Sequence, residues 1–198
     1  AVYCISKRKL HNKVHASKHS HFGPPNRIEG YDVVRDRSVE HLLQNMQRAN
    51  IAASVNSSWY AIVPAGNGHS VEGNRQCLAD AEKYAGIYMW AVIDPLEPET
   101  FDQARTLMQH PKVLGLKIHP ALHRYALMDY GDVIFSFAEE LGAPVLGHSG
   151  CPGCLPAEYG HFANRYPDVV TIAAHLGSGP DFNYTLHVRA VQENRAGN

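Results

Sequence analysis

Three histidines stand at the ends of apolar runs. His119 closes VLGLKIH, His148 closes APVLGH and His175 closes DVVTIAAH, and each is followed by a loop containing Pro or Gly. Two more, His19 and His21, lie one residue apart in HASKHSHFGPP, and at strand periodicity such a pair shares one face. Imidazole is the commonest protein metal ligand. Several imidazoles brought from different strands to one point suit Zn²⁺ or another divalent metal of similar softness. A single histidine is more often a satisfied core or surface residue, so the weight rests on three strands ending in His with the same polarity. The remaining histidines (His11, His15, His41, His69, His110, His123, His161 and His187) read as surface or loop, with His123 lying closest to the others' strand ends.

A second chemical signal is Cys151-Pro-Gly-Cys154, placed after a strand and before a helix. Three readings stay open for it: neutral loop cysteines, a thiol-disulfide oxidoreductase pair, or half of a Cys₄ zinc site. The Gly-rich stretches PAGNGHSVEGN (64–74) and HLGSGP (175–180) do not match a phosphate-binding P-loop. Gly66, Gly68 and Gly73 read instead as a mobile loop after the second strand. Trp59, Tyr60 and Trp90 fall near strand ends, where aromatic packing or pocket lining would use them.

The elements that must position these residues alternate. SVEHLLQNMQRAN (38–50) opens on Ser38, a good N-cap, with Val39, Leu42, Leu43 and Met46 at helical spacing. IAASVNSS (51–58) is a short strand, and CLADAEKYAG (77–86) a helix with Gly86 as its expected C-cap. IYMWAVIDP (87–95) is the nearly unbroken apolar run of a strand buried on both faces. Helices at 99–110, 129–142 and 157–167 then alternate with strands at 113–120, 143–150 and 168–177. This alternation implies βαβ units and a parallel sheet, in which ligands bind at the carboxyl ends of the strands.

Composition sets the outer bounds. The chain has 198 residues, 13 histidines, 44% hydrophobic residues and a formal net charge of −1. That is a globular composition without the Lys/Arg excess of broad nucleic-acid or membrane-surface binders. No apolar run approaches the ~18 residues of a membrane span. Residues 1–14 read as a basic extension and 15–198 as one domain. AVYCISKRKL runs apolar then basic, the reverse of a signal peptide. Four dispersed cysteines suit a reducing compartment, so a cytoplasmic location is expected.

HSHFG at 19–23, GLKIHP at 115–120, PVLGHSG at 144–150 and AAHLGSG at 173–179 together resemble the successive strand-end motifs of the amidohydrolase superfamily. The resemblance is closest to its amidohydrolase-related branch of metal-dependent hydrolases, which also includes decarboxylases of aromatic acids. It spans roughly residues 15–180, and AVIDP at 91–95 resembles the family's third strand. It implies an α/β, TIM-barrel-like (β/α) fold and a Zn²⁺ or other divalent ion acting on a small-molecule substrate. His19 and His21 would be first-strand metal ligands and His148 the fifth-strand ligand. His175 would match the sixth-strand His that binds metal or orients water and substrate. Lys117 and His119 would contact an anionic substrate group or serve structure.

The family's eighth-strand Asp, a ligand and general base, has no counterpart before Asn198. Asp181 is the nearest carboxylate, in a loop or helix start. A barrel truncated after its sixth βα unit is therefore expected. Six strands leave sheet edges exposed, which makes a homo-oligomer, or completion by a partner, the expected state. A catalytically inactive amidohydrolase-like scaffold is the third functional reading, beside the hydrolase and the CxxC oxidoreductase.

Overall fold

A computed structural model of the chain describes residues 15–22, 38–62, 70–177 and 184–198, with the backbone alone for 15–22 and 176–177. The basic extension, Gly66, Gly68 and Asp181 lie outside the described residues.

Six strands run parallel in strict chain order. They are β1 (His15–Phe22), β2 (Ile51–Ser58), β3 (Ile87–Val92), β4 (Val113–Ile118), β5 (Val145–Gly147) and β6 (Thr171–Ala173). Doubly wound sheets reverse their strand order at a switch point. A sequential order does not, and right-handed crossovers then carry every helix to the same face. That is the topology of a barrel wall.

The connecting helices are α1 (Val39–Arg48), α2 (Trp59–Ile62), α3 (Ser70–Lys83), α4 (Glu99–Leu107), α5 (Pro120–His123), α6 (Leu127–Leu141), α7 (Pro156–Arg165) and α8 (Thr185–Glu193). Ser38 caps α1 as its residue type predicts, its side chain accepting from the His41 N–H at 3.2 Å. Gly142 ends α6 in the left-handed region at φ 60°, the conformation glycine adopts without steric cost.

Two expectations are corrected. The helix expected at 77–86 begins earlier, at Ser70, and ends at Lys83, so Gly86 is not its cap. Gly73 therefore sits inside α3 rather than in a loop. A Cβ there would lie 2.6 Å from the Ala61 nitrogen, and Ser70 Oγ donates to the Ala61 carbonyl at 2.9 Å. Close packing of α3 on α2 thus outweighs the ~1 kcal/mol that glycine costs a helix.

Period-two alternation sorts the sheet residues into two layers. Ile87, Met89, Ala91 and Ile93 join Leu116, Ile118 and Val145 in the large core beneath the helices. Val55, Trp90 and Leu146 form a smaller cluster on the opposite, inner face. In register, Val92 pairs with Lys117 and Lys117 with Leu146. Lys117 therefore projects from the same face as Trp90 and Leu146, and residues two further on, His119 and His148, follow on that side.

α3 also tightens the end of β3. Asn74 donates to the Val92 carbonyl at 2.8 Å and accepts from the Val92 N–H at 2.9 Å. This pins the strand just ahead of Asp94.

Candidate functional site

β4 and β5 each end one residue before a histidine, His119 and His148. β6 ends at Ala173, and a 3-10 turn (Ala174–Gly177) carries His175, which has left-handed backbone at φ 58°. His175 thus lies just beyond the strand expected to hold it. Gly147 pairs with Ala173, so His148 lies one residue beyond that pair and His175 two, and the left-handed turn at His175 brings the two rings together. His148 Nδ1 lies 3.1 Å from His175 Nε2. The His119 ring stacks on His148 with centroids 4.0 Å apart and planes at 11°.

His148 is held from every side. Its N–H donates to the Ile118 carbonyl at 3.1 Å, and its carbonyl accepts the Tyr159 hydroxyl at 2.7 Å. Its Nε2 is 3.8 Å from Cys151 Sγ. His119 does double duty: its Nδ1 accepts from the Leu122 N–H at 3.3 Å and so caps α5, which leaves the ring proton on Nε2. Burial, then the charge of Lys117, pushes His148 down to about 4 and lowers His175 as well. Both rings are accordingly neutral near pH 7, the form that binds metal.

Lys117 is fully buried, and its Nζ has no hydrogen-bond partner among the described residues. Burial brings its pKa down to about 7. A buried amine without a partner costs stability, and such sites are retained where a ligand supplies the missing interaction.

The residues sequence reasoning missed lie behind this floor. His123, which the sequence sets apart from the surface and loop histidines only by its place beside the mouth, is buried. Its Nε2 is 3.1 Å from the Ala61 carbonyl and its Nδ1 is 3.4 Å from Asp94 Oδ2. Burial pushes His123 down to about 4 and Asp94 up, since burial penalises the charged form of each. The only signal in the sequence was Asp94 directly after an apolar strand.

Among the described residues no group of three or more His, Cys, Asp or Glu side chains is placed to hold a metal ion. The pair that does come together is His148 and His175. The candidate ligands His19 and His21 lie in β1, with His21 opposite Ser57 of β2 in register, and their side chains are outside the described residues. A tetrahedral ion bound at 2.0–2.1 Å by two nitrogens holds them about 3.3 Å apart. The observed 3.1 Å is that of a hydrogen bond between the two rings and lies close to that separation.

Among the described residues nothing favours the redox pair considered above. Cys77, Cys151 and Cys154 are free thiols. Burial pushes Cys154 up to about 11. No helix among the described residues is long and apolar enough to cross a membrane.

A parallel wall of βα units is the plan of a (β/α) barrel, in which functional sites lie at the carboxyl ends of the strands, where these histidines gather. The amidohydrolase family model matches residues 18–194, and the chain belongs to that family. In fold it is similar to a crystal structure of a probable 2-pyrone-4,6-dicarboxylic acid hydrolase from Acinetobacter baumannii with citric acid bound. The TM-score is 0.59 at 16% identity, over 89% of this chain and 66% of that one. This chain thus spans just under two thirds of that neighbour's length. No curated protein is significantly similar to it in sequence.

Proposed function

We propose that the protein is a metal-dependent hydrolase, or a related decarboxylase, of a small acid. The observation that carries this reading is the His148–His175 pair, with facing nitrogens 3.1 Å apart at the strand ends of an amidohydrolase-family chain. His148 and His175 would hold the ion, Zn²⁺ or another divalent metal, together with His19 and His21 of β1. Such an ion supplies a Lewis acid and lowers the pKa of bound water toward neutrality.

The protein's own groups supply the rest. His119, with its proton on Nε2, is suited to donate a hydrogen bond to the substrate. Lys117 offers a buried cation for a carboxylate. That preference is in keeping with the similar structure, a probable 2-pyrone-4,6-dicarboxylic acid hydrolase with citric acid bound, and an anion beside Lys117 would restore its protonated form.

The same reading makes the protein cytoplasmic, in keeping with its free thiols. It also makes it a homo-oligomer, for which Ile172 on β6 and Leu186, Val188 and Val191 on α8 supply exposed apolar surface. The deciding test is metal analysis joined to hydrolysis and decarboxylation assays on small carboxylic acids and their lactones. Zinc in stoichiometric amount, lost together with turnover in His148→Ala, is the expected result. A protein that binds no divalent metal would be a scaffold.

A further inference from the structure

The Cys151-Pro-Gly-Cys154 motif is a chemical signal that the hydrolase reading leaves unused. Its backbone forms a closed turn. The Cys154 N–H donates to the Cys151 carbonyl at 2.9 Å, and the Gly150 N–H donates to the Cys154 carbonyl at 3.0 Å. Gly150 and Gly153 adopt positive φ, 102° and 82°, which glycine tolerates and other residues do not. The Leu127 N–H donates to the Gly153 carbonyl at 2.7 Å, fastening the turn to the start of α6. Cys154 is fully buried and anchors the turn from below, while Cys151 is half-buried on the site side. The product of this construction is one thiol held 3.8 Å from His148 Nε2.

We propose that the turn is a positioning device in which Cys151 Sγ accepts the Nε2–H of His148, so that Nδ1 is the nitrogen His148 offers beside His175. The inference rests on the proposed metal reading for its purpose, but its geometry stands without it. An imidazole can present a lone pair on one nitrogen only if the proton sits on the other. Ligand histidines are oriented by the group that takes that second N–H, ordinarily a carboxylate, a carbonyl or water. Here the position is filled by sulfur. Among the described residues no carboxylate is recorded in contact with His148, and the buried Asp94 faces His123. Stacking by His119 fixes the tilt of the His148 ring but not which of its nitrogens carries the proton, because either tautomer leaves the stack intact. Cys151 makes that choice. Cys151 is thus a positioning residue, and Cys154 holds the turn that delivers it.

The test is nitrogen-15 NMR of the histidine side chains in the full chain, metal-free and zinc-loaded, with Cys151→Ser and Cys151→Ala beside the wild type. His148 should carry its proton on Nε2 in both states. Cys151→Ala should weaken zinc binding about 10- to 100-fold, with Cys151→Ser in between and circular dichroism unchanged in both variants. Cobalt(II) loading should give no thiolate-to-cobalt charge-transfer band. A proton on Nδ1 in either state, an unchanged zinc affinity in Cys151→Ala, or such a band, which would make Cys151 a ligand, overturns the proposal. Zinc binding that survives His148→Gln would overturn the metal reading instead, and the tautomer of the metal-free protein would still decide the role of Cys151.

Discussion

The Tyr159 hydroxyl donates to the backbone carbonyl of His148 at 2.7 Å, reaching from α7 across to the residue that follows β5. Its ring fills the space beside Gly147, where a Cβ would come within 2.3 Å of Tyr159 Cε1. The absent side chain at 147 and the position of His148 are therefore one feature. Gly147→Ala should push Tyr159 away and cost about 1–3 kcal/mol of stability by overpacking. Tyr159→Phe should cost only about 1 kcal/mol for the lost hydrogen bond. Denaturant melts of both variants, read alongside zinc affinity, check this. Equal losses in the two would mean that the hydroxyl, not the steric fit, governs the position.

Lys117 is expected to trade stability for function. Replacing it by Met keeps its length and removes a buried amine that lacks a partner, so Lys117→Met should be more stable by about 1–3 kcal/mol. The same variant should lose turnover of acidic substrates. A destabilised Lys117→Met with turnover intact would leave Lys117 a structural residue only.

The buried His123 gives the acid side of the stability profile a definite sign. Its folded pKa, about 4, lies below the unfolded value near 6.5, so the unfolded chain takes up this proton first. Stability from this group is complete above about pH 6.5 and is lost as pH falls toward 4. Asp94, raised by burial, works in the opposite sense, since the unfolded chain ionises it first as pH rises. Comparing wild type with His123→Gln separates the two. The variant should show a flatter loss of stability between pH 6.5 and 4, and an identical slope would remove His123 from the account.

The two cysteines of the turn should differ in reactivity. Cys151 is half-buried, whereas Cys154 is buried and raised to about 11. Under native conditions near pH 7.5, iodoacetamide should label Cys151 first, with Cys154 labelled only on unfolding, as peptide mass spectrometry will show. Equal labelling of both would contradict the packing of Cys154.

Several parts of this molecule can be read without a structure because they depend on neighbours along the chain. The Ser38 cap, the left-handed Gly142 and the apolar run of β3 are each set by a few adjacent residues. Alternation of strands and helices predicted the parallel sheet, and the polarity of those strands predicted that His119, His148 and His175 would gather at one end. α3 was misjudged because its first turn is rich in poor helix formers, and what favours a helix there is contact with Ala61 from another element.

What the sequence alone determined, then, is the set of chemical groups and the end of the sheet at which they sit. Residue type and period-two geometry suffice for that. Only the tertiary structure decided which atoms meet. The pairing of Gly147 with Ala173, followed by the left-handed turn at His175, sets where His148 Nδ1 faces His175 Nε2. The register of β4 between β3 and β5 buries Lys117, and the packing of α5 on α2 draws His123 inward to Asp94. A shift of one residue in any of these pairings would turn the side chains to the other face, and local sequence carries no information about which register the packed layers select.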